Sequence, residues 1–212
     1  MSDIRTILNA NRVVPVVVLE RLEDTAPLCE ALLAGGIRAI EITLRTSTAM
    51  AAVGEAARRF DQMVVGAGTL MTADQMAQVM DLGARFGVSP GSTPALLDAA
   101  RDKGLPFLPG GATVSEFMAL SAAGFSVQKF FPAGPAGGSG FLKSVASPLP
   151  EVTFCPTGGV NADNAADYLA LPNVIAVGGS WFVSPERIRR GAWNEITADA
   201  KAIVGRFGPP AD

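Results

Sequence analysis

The chain has 212 residues, of which 49% are hydrophobic and 17% charged, and its formal net charge is −3. A chain of this length buries a substantial core, its composition excludes a disordered polymer, and with no basic run it offers nucleic acid or an anionic membrane no electrostatic footprint. Histidine is absent, which removes His-based triads, His-ligated zinc and His acid–base catalysis.

The opening stretch, "MSDIRTILNA", has neither the basic start nor the apolar core of a secretory signal. It predicts a short helix at about 3–11. Apolar, β-branched runs then recur roughly every 20–25 residues, the size of a strand–loop–helix unit. They are 13–19 "VVPVVVL", 39–44 "AIEITL", 63–69 "MVVGAGT", 85–90 "RFGVSP", 105–110 "LPFLPG", 126–132 "SVQKFFP", 151–157 "EVTFCPT" and 174–180 "VIAVGGS". All are too short to span a bilayer. Between them lie Ala- and Leu-rich segments at helical spacing: Leu28 and Leu32, and Met76 and Met80, at i,i+4, with Phe117 and Leu120 at i,i+3. Thr72–Gln75 and Thr113–Glu116 have the spacing of capping boxes, and Asn161 is placed to cap the helix after it. Gly35, Gly83, Gly104 and Gly124 stand where four of these helices should end. Cys29 and Cys155, far apart in sequence, make no disulfide framework and read as reduced, packed thiols of a cytoplasmic protein.

Eight alternating strand–helix units without a dividing linker predict an α/β fold: a closed (β/α)8 TIM barrel, one domain over 1–212, with a short N-terminal helix. A doubly wound open sheet is the alternative, because periodicity does not report closure. Glycine, threonine and proline gather at the C-terminal ends of the strands, in "GAGT", "SPG", "PGG", "FFPAG", "PTGG" and "GGS". Turn chemistry explains any one of them. Six on the face where barrel active sites sit mark that face as the functional one.

Four lysines occur. Lys103 precedes a helix-ending glycine, and Lys143 and Lys201 lie in helical segments with polar neighbours, so these three have ordinary surface places. Lys129 does not. In "SVQKFFPAG" strand alternation puts it on one face with Val127 and Phe131, and lysine is almost never buried unless paired. Burial disfavours the charged form of an amine, and a neutral amine is a nucleophile that condenses with a ketone to a Schiff base. The second strand supplies a partner: Glu41 lies between Ile40 and Ile42, with Thr43 and Arg45 on its own face. A structural ion pair is one reading, although such a pair is costly to desolvate and adds little net stability. A catalytic reading explains more: a lysine nucleophile, a glutamate acid–base, and an arginine near the mouth to clamp a carboxylate.

"CPTGGV" follows the seventh strand and "VGGSWF" the eighth. Glycine there lets backbone N–H groups approach an anion, and these two loops are the usual phosphate cradle of barrel enzymes. Ordinary tight turns are the alternative. Tyr168 and Trp193 read as packing or surface residues, Trp181 as lining the site or covering the end of the barrel, and Cys155 as core. No carboxylates fall at metal-ligand spacing, so neither a metal nor a cofactor is expected.

In this order and at these intervals, "EITLRT", "VVGAGT", "VSPG", "QKFFPAG", "CPTGGV" and "GGSWF" closely resemble the bacterial 2-keto-3-deoxy-6-phosphogluconate (KDPG) aldolases of the KDPG/KHG class I family, over roughly Val13 to Phe182. The resemblance implies a metal-free lyase that cleaves KDPG, a phosphorylated keto acid, to pyruvate and D-glyceraldehyde 3-phosphate, and it implies a homotrimer. It makes Lys129 the Schiff-base residue and Glu41 the proton shuttle. It places Arg45 and Thr69 on the pyruvyl carboxylate, Pro90 and Phe131 along the pocket, and Thr157 beside the substrate. Gly158, Gly159, Gly179 and Ser180 fall at the phosphate. One departure concerns the mouth loop: after "FFPA" the family usually carries a polar residue, often Glu, where this chain has Gly134 and Pro135. That change bears on loop shape and aldehyde preference. Cleavage of 4-hydroxy-2-oxoglutarate is an expected side activity, because it uses the pyruvyl half of the site without a phosphate. Three other readings share parts of the pattern: an aldolase for the 6-phosphogalactonate analogue, a non-catalytic phosphosugar-binding barrel, and a barrel isomerase. "EITLRT" and "GGSWF" argue against the first, and the other two leave an imine-forming lysine without a purpose.

Overall fold

The computed structural model describes residues 3–208. A helix, α1 (Ile4–Ala10), is followed by nine short strands: β1 (Val13–Val17), β2 (Ala39–Thr43), β3 (Val64–Gly68), β4 (Phe86–Val88), β5 (Phe107–Leu108), β6 (Gly110–Gly111), β7 (Val127–Phe130), β8 (Thr153–Pro156) and β9 (Val177–Gly179). Helices separate all of them but β5 and β6, from Thr25–Ala34 after β1 to Ala165–Leu169 after β8, and Trp193–Phe207 is the last among the described residues. No helix among the described residues is long and apolar enough to cross a membrane.

Every registered strand pair is parallel. The order β5-β4-β3-β2-β1-β9 makes a six-stranded sheet and β6-β7-β8 a three-stranded one. Isolated bridges, Phe154↔Val174 and Thr157↔Gly178, run between the second sheet and the β9 side of the first. The expected single ring of eight strands is therefore found as two sheets. One division falls at Pro109, which has no N–H to donate and cuts the fifth apolar run into β5 and β6.

β1, β2, β4 and β7 are buried along their whole length, as parallel strands covered on both faces should be. Alternate residues serve two separate cores. Val17, Ile40, Ile42, Val65, Phe130 and Phe154 pack with helix residues such as Leu28, Leu32, Val53 and Phe117. Val14, Phe86, Val88, Leu108, Val127 and Cys155 form an inner cluster with Ile7 and Leu8 of α1. Arg5 donates to the hydroxyl of Thr153, the first residue of β8, 3.1 Å away, so α1 lies across the N-terminal ends of the strands.

The local signals form largely as read. Both capping boxes are made, at Thr72 with Gln75 and at Thr113 with Glu116. Gly83, Gly104 and Gly124 take the left-handed conformation after their helices, but the first such helix hands that role to Gly36. Gly35 is instead kept small by Ala200, which a Cβ there would overlap. Asn161 does not cap an α-helix. Its side chain accepts from the N–H groups of Asp163 and Asn164, holding a turn, and the helix begins only at Ala165.

Phe117 is the hub of the outer core, fully buried among the rings of Phe130, Phe141 and Phe154 at centroid distances of 6.1, 6.2 and 4.8 Å. Phe117→Ala should cost about 3–5 kcal/mol through lost burial and the cavity left behind. A urea midpoint lowered with an unchanged m-value would show it.

Candidate active site

Lys129 points inward because its neighbour is anchored outward. The Gln128 amide donates to the carbonyls of Phe117 and Phe125, at 3.1 and 2.8 Å, and to the hydroxyl of Ser121 at 3.1 Å. Strand alternation then sends Lys129 to the side of Val127 and the inner cluster. Its Nζ donates to Oε1 of Glu41 across 3.4 Å, and the two side chains are only 3% and 4% exposed. The other three lysines are exposed. Phe131 lies one residue beyond β7, yet its ring centroid is 5.2 Å from Nζ.

Glu41 is the middle residue of β2, with Ile40 and Ile42 turned to the outer core. Among the described residues its carboxylate makes no other hydrogen bond or ion pair than the one to Lys129. Gly66 and Gly68, taken from the sequence as part of a turn motif, lie within β3 itself. A Cβ on Gly68 would overlap the Glu41 carboxylate, and one on Gly66 the ring of Phe86.

Cys155 is the register partner of Lys129 on β8. Burial pushes its thiol up to about 12, against the opposite pull of nearby Lys129. Just beyond β8, the Thr157 hydroxyl is buried near the Cys155 thiol and, among the described residues, makes no well-formed hydrogen bond; a Cβ on Gly178 would overlap it. A buried polar atom without a partner is costly and calls for an explanation.

Arg45 is exposed, and its Nε donates to Oγ1 of Thr69 at 3.2 Å. Thr69 holds φ at 62°, left-handed for a non-glycine residue. Such conformations cost about 1–3 kcal/mol and gather at ligand clamps. Gly158 and Gly159, at φ 89° and 83°, form a turn beside Phe131 and Gly134. The Gly134 N–H donates to the Gly158 carbonyl at 2.8 Å, so the departure at Gly134 falls directly beside this turn. Asn164 secures the other side, its amide donating to Gly159 at 2.9 Å. Gly179 is buried under the indole of Trp181, while Ser180 is exposed. Half-buried Pro90 presents its carbonyl to Gly110, the register partner of Lys129 on β6.

The geometry thus brings Lys129, Glu41 and Phe131 into one contact group, joins Arg45 to Thr69, and links Thr157, Gly158 and Gly159 through Gly178, Phe131 and Gly134. Among the described residues no three Cys, Asp or Glu side chains converge as a metal site.

Comparison with known proteins points in one direction. The family model "Aldolase: KDPG and KHG aldolase" matches residues 4–199. The chain is 43% identical to a KHG/KDPG aldolase of Escherichia coli (strain K12), over 96% of this chain and 95% of that one. It is similar to a solved KDPG aldolase from Legionella pneumophila with pyruvate captured at low pH as a covalent carbinolamine intermediate. That likeness has 44% identity and a TM-score of 0.93, covering 95% of this chain and 98% of that one. A second solved relative is the aldolase of Zymomonas mobilis ZM4 with 3-phosphoglycerate, at 39% identity and a TM-score of 0.92, covering 99% and 98%.

Burial also lifts Cys29, again to about 12, so neither thiol ionises near neutral pH in the folded chain. The native protein should resist iodoacetamide at about pH 8, and the unfolded protein should take label at both cysteines. The folded values lie above the ordinary 9.0, so this part of the stability is whole below about pH 9 and is lost as pH rises toward 12. Denaturant titrations on either side of pH 9 measure the slope.

Proposed function

The chain belongs to the KDPG and KHG aldolase family, and on that footing we propose that it is a class I aldolase cleaving 2-dehydro-3-deoxy-6-phosphogluconate to pyruvate and D-glyceraldehyde 3-phosphate. The observation that carries the reading is the isolated inner pair, an amine and a carboxylate 3.4 Å apart and both out of water. The carbinolamine of the Legionella relative supports an amine as the attacking group.

Lys129 adds to the C2 ketone, forming a C–N bond as the carbonyl electrons move to oxygen. Glu41 carries two protons in turn from that nitrogen to the oxygen, the first taken from the ammonium before it attacks, and loss of water leaves a protonated imine. The carboxylate then takes the proton of the C4 hydroxyl. The C3–C4 electron pair flows into the imine, the aldehyde departs, and an enamine remains. Return of the proton to C3, followed by hydrolysis, releases pyruvate and restores the amine.

The remaining residues bind. Arg45 and Thr69, already in contact, hold the pyruvyl carboxylate. Phe131 and Pro90 line the pocket, and the buried Thr157 hydroxyl serves the substrate. Gly158, Gly159, Gly179 and Ser180 receive the phosphate through backbone N–H groups and a hydroxyl. The Escherichia coli relative is named for both KHG and KDPG, which supports 4-hydroxy-2-oxoglutarate as a second substrate.

The same reading takes the two sheets as one closed (β/α)8 barrel in a single domain. In its support, the Leu108 carbonyl accepts from Ser89 while that of Pro109 accepts from Lys129, so the chain through β5 and β6 serves both sheets. The Thr157↔Gly178 bridge joins them on the other side. A homotrimer and a cytoplasmic location complete the reading, on the family resemblance alone.

Incubation with pyruvate followed by borohydride should leave one reduced pyruvyl adduct, on Lys129, located by peptide mass spectrometry. Glu41→Gln should slow cleavage by about 10²–10⁴-fold, the usual weight of a general acid–base. No adduct in a folded protein that still binds pyruvate would overturn the aldolase and leave a phosphosugar-binding barrel.

A further inference from the structure

Beyond Val64, which packs on the inner cluster, β3 presents no side chain to the interior. Val65 and Ala67 belong to the outer core, and the positions between and beyond them are Gly66 and Gly68. Neighbouring strands fill both places: the Phe86 ring from β4 lies over Gly66, and the Glu41 carboxylate from β2 lies over Gly68. Neither glycine is among those with positive φ. Glycine stands here for space rather than for backbone conformation, the usual meaning of glycine inside a strand where another group approaches closely.

Glu41 has little else to hold it. Its single polar contact among the described residues is the Lys129 amine. In the reaction assigned above, that nitrogen becomes part of an imine and no longer offers the same partner. A carboxylate anchored only by a group that changes during the cycle needs a second means of staying in place.

We propose that Gly68 is a positioning residue for the aldol cleavage: its bare α-carbon is the ledge on which the Glu41 carboxylate rests, fixing where the proton is taken and returned. The inference rests on the role of Glu41 proposed above. A Cβ at this position would meet Oε1 first, then Cδ and Cγ. The added methyl therefore presses on the carboxylate itself, and on the same oxygen that faces Lys129.

The test compares two readouts in Gly68→Ala. Borohydride-trapped pyruvate on Lys129 reports imine formation, and exchange of the pyruvate methyl protons for deuterium reports the carboxylate acting on that imine. Exchange and kcat should fall about a hundredfold, the scale of loss for a misplacement of about 1 Å. The adduct at saturating pyruvate and the KM for substrate should change far less. Gly66→Ala presses on Phe86 instead and controls for strain alone, lowering thermal stability while the ratio of exchange to adduct stays that of the parent. Glu41→Asp shortens the stem by one methylene and makes room for the added methyl, so the relative exchange activity of Gly68→Ala with Glu41→Asp should exceed the product of the two single relative activities. That pair, read against Glu41→Asp alone, also serves if Gly68→Ala does not fold. A parental exchange-to-adduct ratio in Gly68→Ala, or no positive coupling in the pair, overturns the ledge. Full exchange in Glu41→Gln would instead remove the proposed role of Glu41 and the ledge with it, which separates the two failures.

Discussion

Two opposite charges held 3.4 Å apart and away from water are the constraint around which this structure is arranged. Drawing them out of solvent costs about as much as their attraction returns, or more, so the stability of the fold gives no reason for them. Their surroundings are shaped to receive them. Gly68 leaves room for the carboxylate, and the Phe131 ring lies within cation–π reach of the amine. Cys155, beside Lys129 on the next strand, is kept protonated by burial. A thiolate there would compete with Glu41 for the lysine.

The two ends of the strands divide the work. At the N-terminal end, α1 and the inner apolar cluster close the interior. At the C-terminal end, glycine, threonine and proline expose backbone rather than side chains, and the candidate binding groups collect there. A chain with a net charge of −3 does not draw a phosphorylated acid by its overall field. Attraction has to be local, and the proposed reading takes it from Arg45, the N–H groups of the Gly158–Gly159 turn and the end of β9, without a large basic surface.

Lys129 and Glu41 were legible in the sequence because alternation is a strict rule and each charge sits between outward-facing residues of a short strand. The capping boxes were legible for a similar reason: their geometry depends on residues three positions apart and on nothing distant. Strand pairing around Pro109 was not, since the neighbour a strand chooses is decided by the rest of the chain and not by its own pattern. Gly66 and Gly68 fall inside the third strand run, yet "GAGT" also reads as turn chemistry, because glycine looks the same in sequence whether it serves conformation or space. Thr69 gave no hint of its left-handed φ, which threonine ordinarily avoids. Asn161 sat at a plausible capping position, but the chain makes a separate turn before the helix starts.

A chain without histidine has to move several protons with one carboxylate in contact with its nucleophile. The proposed cycle allows this because each proton Glu41 accepts is soon given back: two go in turn from nitrogen to the departing oxygen, and the next from the C4 hydroxyl to C3. The carboxylate regains its charge after each transfer, and no excess charge builds up in a site with little exposure to solvent. Such a group has to reach different atoms in turn, so hydrogen bonds that fix its oxygens would hinder it. A seat defined by shape, with the stem lodged in β2 and the carboxylate over a glycine, holds the group while leaving its oxygens free to change partners. The scarcity of hydrogen bonds to Glu41 would be a defect in a structural ion pair; for a proton carrier serving successive steps it is a requirement.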